Sequence, residues 1–139
     1  MASVILVADG DASAVSAVVE ALAGRGVADR VEACESGRAL VAAFARALHQ
    51  ADEVVGVVLD TKLPIGGGRS SALAVRAVEK AFETPPAPIV FYLEGKADSN
   101  LDKIIAYLGC GAHCQRDAAG PGAADGIDAL VERLEELRT

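Results

Sequence analysis

Three aspartates lie at or just after the ends of apolar runs in this chain, and carboxylates in such places could hold a cation or take part in group transfer. Asp60 follows the run Val54–Leu59, and Asp9 and Asp11 follow the shorter run Val4–Val7. In open parallel α/β sheets, ligands bind at the carboxyl ends of strands, next to the point where the strand order reverses. If the two runs form neighbouring strands, the three carboxylates share one acidic pocket.

Five apolar or β-branched runs alternate with segments of helical periodicity, and these elements would position the carboxylates. The predicted strands are Val4–Val7, Val27–Ala33, Val54–Leu59, Ile89–Leu93 and Ala112–Arg116. The third run is apolar at every position, as expected for a strand that is covered on both faces. The repeated alternation predicts an α/β fold, a doubly wound five-stranded parallel sheet with right-handed crossovers. The second and fifth strands carry polar residues and are predicted at the sheet edges.

Helix starts are predicted where a short polar side chain precedes an apolar stripe, because its oxygen can accept hydrogen bonds from the unpaired first-turn amides. The capping residues predicted in this way are Asp11 or Ser13, Ser36, Ser70 or Ser71, and Asp98. Apolar residues three or four positions apart then define the buried face of each helix. In the third helix this face is predicted to consist of Val75, Val78 and Phe82.

Composition and charge restrict the class of protein. The chain has 139 residues, of which 52% are hydrophobic and 4% aromatic, and it is predicted to form one domain over residues 1–139 with an aliphatic core. No apolar run approaches the roughly 20 residues that span a bilayer, and no signal-peptide pattern opens the chain, so a cytoplasmic protein is expected. The formal net charge of −7 and the lack of a basic stripe argue against binding to nucleic acid or to an anionic membrane.

Cysteines and histidines provide few further candidates for chemistry. Cys110, His113 and Cys114 lie close together, but a structural zinc site normally takes four nitrogen or sulfur ligands, so ordinary packing is expected. Cys34 makes the cysteine count odd, which argues against a disulfide framework in a cytosolic chain. His49 and His113 have no evident nucleophile as a partner, and enzymatic activity is therefore not expected.

Several of these segments together resemble the response-regulator receiver domain, the CheY-like family. The resemblance rests on the run Ile5–Asp11, on Asp60 followed by Pro64 and Gly68, and on Gly111 before a short strand. It extends over essentially the whole chain, and the fivefold alternation of strand and helix agrees with it.

The resemblance implies a flavodoxin-like sheet in the strand order 2-1-3-4-5 and a site for phosphorylation. Asp60 occupies the position of the phosphoacceptor, and Asp9 matches the first of two acids that hold Mg²⁺ in receivers. The backbone carbonyl of Lys62 would be a further Mg²⁺ ligand. Receivers also end strand four with serine or threonine and strand five with lysine, and both side chains contact the phosphoryl group.

Several of the implied positions carry other residues. Gly10 stands at the second acid, and Leu93, which has no hydroxyl, stands at the serine or threonine of strand four. In an ungapped alignment Ala118 falls at the lysine and Gln115 at the aromatic switch residue. If strand five is shorter by two residues, Arg116 falls at the lysine and keeps the positive charge, although the two side chains are not equivalent. A weak or absent Mg²⁺ site is therefore expected.

Two charged side chains near the pocket have alternative interpretations. Asp11 either replaces the missing acid as a Mg²⁺ ligand beside Asp9 and Asp60, or it caps the first helix. Lys62 either neutralises the pocket in place of a metal or points into solvent. The segment Gly66–Gly68 lacks the spacing of a phosphate-binding loop, and a turn is expected there.

Signalling through protein contacts is the function that the sequence favours. Lys103 and Tyr107 lie off the apolar stripe of the fourth helix, near which receivers commonly bind partners, so both residues are predicted to contact a signalling protein such as a histidine kinase or an output protein. We expect an atypical receiver of bacterial two-component signalling. A conventional receiver phosphorylated on Asp60 and a flavodoxin-like module that binds a small ligand are the alternatives.

Overall fold

The computed structural model describes residues 1–63, 67–93, 98–116 and 124–138, without the side chains of residues 124 and 125. Within these ranges the strands are β1 Ser3–Ala8, β2 Arg30–Cys34, β3 Glu53–Leu59, β4 Ile89–Leu93 and β5 Gly111–Gln115. The helices are α1 Ala12–Arg25, α2 Gly37–His49, α3 Gly68–Phe82, α4 Ser99–Leu108 and α5 Ala124–Arg138. Pro64, which the resemblance uses, and Ala118 of the ungapped alignment lie outside the described residues.

The strands form one parallel sheet in the order β2-β1-β3-β4-β5, which confirms the predicted topology. β2 and β5 lie at its edges, as their polar residues predict. The bounds of these two strands differ from the predictions by a few residues. β2 begins at Arg30 rather than Val27, because its pairing with β1 starts where Val4 lies opposite Arg30. β5 ends at Gln115, so Arg116 is the first residue beyond the strand.

Both faces of the sheet are buried, because successive side chains of a strand point to opposite sides. On one face α2, α3 and α4 cover a cluster that includes Leu6 and Phe91. On the other face α1 and α5 cover a cluster that includes Ile5 and Val90. Full burial of an aliphatic or aromatic side chain of this kind stabilises a fold by about 1.5–3 kcal/mol. No helix in the described ranges is both long enough and apolar enough to cross a bilayer.

The pairing of β1 with β3 brings the ends of these strands level. The register shifts between Val4 and Ile5, and Val55 is the extra residue of β3 at this bulge. From there the two strands stay in step, and Ala8 lies opposite Leu59. The aspartates that come next along each strand therefore leave the sheet side by side.

Helix starts follow the predicted capping chemistry except at α3. The predicted caps of α1, α2 and α4 are confirmed, and they are Asp11, Ser36 and Asp98. The prediction of Ser70 or Ser71 for α3 is wrong, because the helix already begins at Gly68. The preceding Gly67 has a φ of 66°, which glycine adopts without strain. The Ser71 hydroxyl instead donates to the Gly67 carbonyl inside the first turn, at 2.5 Å.

The second half of α3 departs from the predicted apolar stripe. Val75 is buried, but Phe82 is exposed, whereas Glu79 is only 3% exposed. The Glu79 carboxylate accepts a hydrogen bond from the Ala87 amide at 2.5 Å and pairs with Arg76 at 2.7 Å. A buried carboxylate needs partners of this kind, because its desolvation would otherwise be costly.

The Arg76 side chain also joins α3 to the end of α4. Its guanidinium donates to the carbonyl oxygens of Leu108 at 2.9 Å, Gly109 at 2.7 Å and Cys110 at 3.3 Å. The last carbonyls of a helix have no partner within it, and a cation placed there also complements the helix dipole. One arginine therefore holds the C-terminal end of α4 against α3.

Candidate functional site

The two aspartates that follow β1 and β3 lie together at the carboxyl end of the sheet. The Asp9 amide donates to the Cys34 carbonyl, and the Asp60 amide donates to the Ala8 carbonyl, both at 3.2 Å. These bonds fix the backbone of each aspartate to a neighbouring strand. Asp9 is 6% exposed, and the Asp60 side chain is 21% exposed. Two carboxylates in such a partly desolvated place require a compensating positive charge.

Arg116 supplies that positive charge. Its Nη2 donates to Asp9 Oδ2 in a short hydrogen bond and lies 3.9 Å from Asp60 Oδ2. The Arg116 side chain is 17% exposed, so all three groups are largely withdrawn from water. Of the two alignments considered for the end of strand five, the one with the shorter strand matches this arrangement. An ion pair between a guanidinium and a carboxylate is stronger here than on the surface, because solvent screens it less.

The path of the Arg116 side chain is fixed by the end of β4. The Arg116 amide donates to the Leu93 carbonyl at 2.6 Å, and its Nε donates to the Tyr92 carbonyl at 3.2 Å. The guanidinium carbon lies 5.1 Å from the centre of the Tyr92 ring, within the range of a cation–π contact. The side chain therefore crosses the end of β4 before it reaches the two aspartates.

The remaining oxygens of both aspartates accept hydrogen bonds from the backbone. Asp9 Oδ1 accepts from the Asp11 amide at 2.9 Å, and Asp60 Oδ1 accepts from the Lys62 amide at 3.0 Å. Each carboxylate thus gives one oxygen to its own loop and directs the other at Arg116. These local turns are typical of aspartate, and they hold the side chains in place.

The other charged residues near the pocket point elsewhere. Asp11 is exposed, and its Oδ1 accepts from the amides of Ser13 and Ala14 at 2.9 and 3.3 Å, so it caps α1. Of its two interpretations, the structure thus favours capping, since the shift of one residue beyond Gly10 turns the side chain towards the helix. The Lys62 side chain is exposed. The role of its carbonyl as a metal ligand stays a prediction.

The end of β4 is apolar where the resemblance implies a hydroxyl. Leu93 is buried and belongs to the core cluster that also contains Leu63 and Leu101. A leucine side chain can neither donate nor accept a hydrogen bond. A phosphoryl group on Asp60 would therefore find no hydroxyl at this position.

The donor set does not fit a divalent cation well. Mg²⁺ demands near-octahedral oxygen ligands at about 2.0–2.1 Å and takes one or two carboxylates. Among the described residues, Asp9 and Asp60 are the acids of the pocket, and the guanidinium of Arg116 lies on the side of the oxygens that would face the ion. Across the part of the chain that the structure describes, no group of three or more His, Cys, Asp or Glu side chains could hold a metal.

The predicted partner surface lies on α4. Tyr107 is 81% exposed, and Lys103, one helical turn earlier, is also exposed. On the neighbouring strand, His113 Nε2 lies 3.3 Å from Asp102 Oδ1, which connects β5 with α4. At the start of α4, the Leu101 amide and then the Arg69 guanidinium lower the pKa of Asp98 below its usual value. The binding role of Lys103 and Tyr107 stays a prediction.

The three residues considered for zinc have separate partners. The Cys110 thiol donates to the Leu137 carbonyl at 3.4 Å, and the Cys114 thiol lies 4.0 Å from the Gly126 carbonyl. His113 faces Asp102, as described above. Burial raises the pKa of both thiols above their usual value, which disfavours the thiolate form that binds metals.

Sequence reasoning missed the Arg76–Glu79 cluster, another charged group withdrawn from solvent. The i, i+3 spacing of these residues on α3 was a visible signal for an ion pair. Their burial was not visible, because it depends on the connector after α3 and on the end of α4.

Comparison with known proteins identifies the fold. No protein-family model matches the chain, and no curated protein matches it significantly in sequence. Among solved structures, the chain is similar to the receiver domain of the histidine kinase CKI1 from Arabidopsis thaliana, complexed with Mg²⁺ and BeF3⁻. The TM-score is 0.79 at 20% identity, and the match covers 97% of this chain and 89% of that one.

Two bacterial proteins give similar matches. Vibrio cholerae CheY4 has a TM-score of 0.72 at 17% identity, over 99% of both chains. A response regulator receiver domain protein from Clostridium thermocellum has a TM-score of 0.68 at 17% identity, over 97% of this chain and 93% of that one. The chain thus has the receiver-domain fold that its sequence predicted, and at these identities the likeness establishes the fold alone.

Proposed function

We propose that this protein is an atypical receiver domain of two-component signalling, which acts inside the cell by binding another signalling protein and not by catalysis. The single observation that carries the proposal is the buried Leu93 at the end of β4. In a conventional receiver, a hydroxyl at this position follows the phosphoryl group and thereby reports phosphorylation. Leucine offers no hydrogen bond for such a movement.

The charges around Asp60 support the same proposal. Phosphoryl transfer depends on neutralising the charge on the phosphoryl oxygens. A receiver that switches therefore needs a cation that is free to change its partners when the phosphoryl group arrives. Here Arg116 is already paired with Asp9 and is held by the Tyr92 carbonyl. The pocket is therefore occupied by internal contacts in the unmodified protein, which favours one constant state.

The exposed face of α4 is the proposed binding surface. Tyr107 offers an exposed aromatic ring, and Lys103 offers a flexible cation on the same side of the helix. Aromatic residues are enriched in protein interfaces, because they contribute a large contact area at low entropic cost. The proposed partner is a histidine kinase or an output protein of a signalling pathway.

An amide NMR titration tests whether the pocket switches. The protein receives Mg²⁺ and then beryllofluoride, a phosphoryl mimic, and an Asp60→Asn variant receives the same additions as control. We expect no Asp60-dependent shifts in β5 or α4. Shifts in these elements that are present in the wild type and absent from the variant would overturn the proposal and indicate a working switch.

A conventional phosphoacceptor is the second candidate function. The observation in its favour is Asp60 itself, whose side chain is partly accessible to solvent. Its Oδ2 lies 3.9 Å from the guanidinium of Arg116, which could bind a phosphate group. Incubation with acetyl phosphate, followed by intact-mass measurement, tests this candidate. A phosphoryl mass increase in the wild type but not in Asp60→Asn would favour it, and an unchanged mass beside a labelled control receiver would exclude it.

A further inference from the structure

The acidic pocket contains its own cation, and that cation is tied to three strands. Arg116 follows β5, bonds the carbonyls at the end of β4 through its amide and its Nε, and reaches Asp9 after β1 with its Nη2. Asp60 after β3 lies 3.9 Å from the same nitrogen. A metal ion bound by the two aspartates would connect the ends of β1 and β3 in a similar way.

Arg116 offsets one of the two carboxylate charges, Asp9 and Asp60, without any ion from solution. Among the residues that the structure describes there, two carboxylates and one guanidinium leave a single net negative charge, and all three side chains are at most 21% exposed. A divalent cation entering this pocket would meet the fixed positive charge of Arg116. At a separation of about 4 Å, this repulsion weakens binding by tenfold or more, even at the effective dielectric constant of a protein surface.

Geometry adds to this repulsion. Asp9 Oδ1 and Asp60 Oδ1 accept backbone hydrogen bonds, and Arg116 lies against the other oxygen of each acid. A metal would have to displace the guanidinium from Asp9 to gain that ligand. The displaced side chain would also lose its contact with the Tyr92 ring.

We propose that Arg116 is the resident cation of this pocket and takes the place of the divalent ion, so that the pocket does not bind Mg²⁺. The inference goes beyond the proposed function, because it concerns what holds the pocket together and not what the protein binds. It makes Arg116 a positioning residue for Asp9 and Asp60. Removal of its charge should leave two unbalanced carboxylates side by side and thereby create a metal site.

Thermal unfolding in millimolar MgCl2, compared with NaCl of equal ionic strength, tests the inference. The test variant is Arg116→Met, which keeps an unbranched side chain and removes the charge. The matched control is Arg133→Met, which removes an arginine from an exposed pair with Glu136.

We expect a Mg²⁺-specific rise in Tm for Arg116→Met alone. The wild type and Arg133→Met should give the same Tm in both salts. A Mg²⁺-specific rise in the wild type equal to that of Arg116→Met would overturn the inference. A folded Arg116→Met protein with the same Tm in both salts would overturn it too, since Arg116 would then not be the group that excludes the metal.

A second measurement applies if Arg116→Met does not fold. Mn²⁺ added to the wild-type protein broadens the NMR signals of amides near any site that it enters. Unbroadened amides at Asp9 and Asp60 support a pocket closed to divalent ions, and selective broadening there overturns it.

The two proposals can fail separately. A beryllofluoride response without Mg²⁺ binding would refute the proposed function and leave the role of Arg116 intact. Mg²⁺ binding to the wild type without any beryllofluoride response would refute the role of Arg116 and leave the proposed function intact.

Discussion

Gly68 allows the first turn of α3 to pack directly on the loop that carries Asp60. A Cβ atom at this position would overlap the Asp60 carbonyl oxygen and lie 2.7 Å from the Thr61 Cα. Both of these atoms belong to the backbone, so no side-chain rotation could relieve the overlap. The Gly68 amide also donates to the Thr61 carbonyl at 3.2 Å. A glycine is thus needed here for space and not for an unusual φ.

The substitution Gly68→Ala should therefore displace the Asp60 loop or the start of α3. We expect a loss of about 1–3 kcal/mol in the free energy of unfolding, as for other overpacked sites. Urea denaturation measures it, and amide shifts at Asp60 report the displacement. The control is Gly24→Ala in α1, where a Cβ meets nothing within 4 Å. It should be neutral or stabilising by about 0.5–1 kcal/mol, and equal losses in both variants would refute the explanation.

Cys34 makes the stability of the folded protein depend on pH in the alkaline range. Burial raises the pKa of this thiol from 9.0 to about 11. The unfolded chain therefore ionises first as the pH rises, which favours unfolding. The stabilising contribution is complete below pH 9 and is lost as the pH rises towards 11, by up to about 3 kcal/mol in total.

Unfolding free energies measured across this pH range in the wild type and in Cys34→Ala test the effect. The variant should be less stable near neutrality, because it leaves a cavity. Its stability should nevertheless fall less steeply between pH 9 and pH 11 than that of the wild type. Parallel curves for the two proteins would show that the thiol is not responsible.

At the scale of elements, two arginine–glutamate pairs of equal spacing differ in burial. Arg76 and Glu79 of α3 are 15% and 4% exposed at the side chain, whereas Arg133 and Glu136 of α5 are about half exposed. Removing one partner of a buried pair leaves an uncompensated charge, but removing one partner of an exposed pair leaves a solvated one.

The substitution Arg76→Ala should accordingly cost about 3–5 kcal/mol, because Glu79 stays buried and the end of α4 loses its cation. The substitution Arg133→Ala should cost less than about 1 kcal/mol. Chemical denaturation of both variants gives the comparison. Similar losses would mean that the cluster on α3 is not important for the packing of the helices.

For the molecule as a whole, the contact between Asp9 and Arg116 joins residues that are 107 positions apart. It links the first strand with the residue after the last strand, so it can form only when β4 and β5 have joined the sheet. Contacts of this kind usually form late in folding, because the entropy of closing a long loop must be offset first.

Arg116→Met should therefore accelerate unfolding and leave the folding rate almost unchanged. Interactions that are absent from the transition state affect mainly the unfolding rate. Stopped-flow measurements of both rates over a range of urea concentrations test this expectation. A slowed folding reaction with unchanged unfolding would instead place the contact in the folding nucleus.

Much of the fold could be predicted from the sequence, because its signals are local. The continuous apolar character of Val54–Leu59 indicates a central strand, and polar residues in the second and fifth strands indicate edges. The caps at Asp11, Ser36 and Asp98 depend only on the residues that follow them. These features need no knowledge of distant contacts.

The remaining features depend on residues that are distant in sequence. The start of α3 is set by the close approach of Gly68 to the Asp60 loop, and the burial of Glu79 is set by the connector after α3. The ion pair of Arg116 depends on where β5 ends, and a shift of two residues in that strand changes which side chain reaches the pocket. Asp9 and Asp60 could be identified from the sequence, but it left open whether Arg116 or Ala118 takes the lysine position beside them.

The hydrogen bond between Ala87 and Glu79 provides a natural probe for hydrogen exchange. Pro85, Pro86 and Pro88 have no amide hydrogen, so Ala87 carries the one exchangeable amide of this short stretch. That amide donates to a buried carboxylate, and its exchange requires the connector to lift away from α3. A single slowly exchanging signal, with no backbone amide on either neighbour, would report the separation of this connector from α3, at the end of the sheet opposite the acidic pocket.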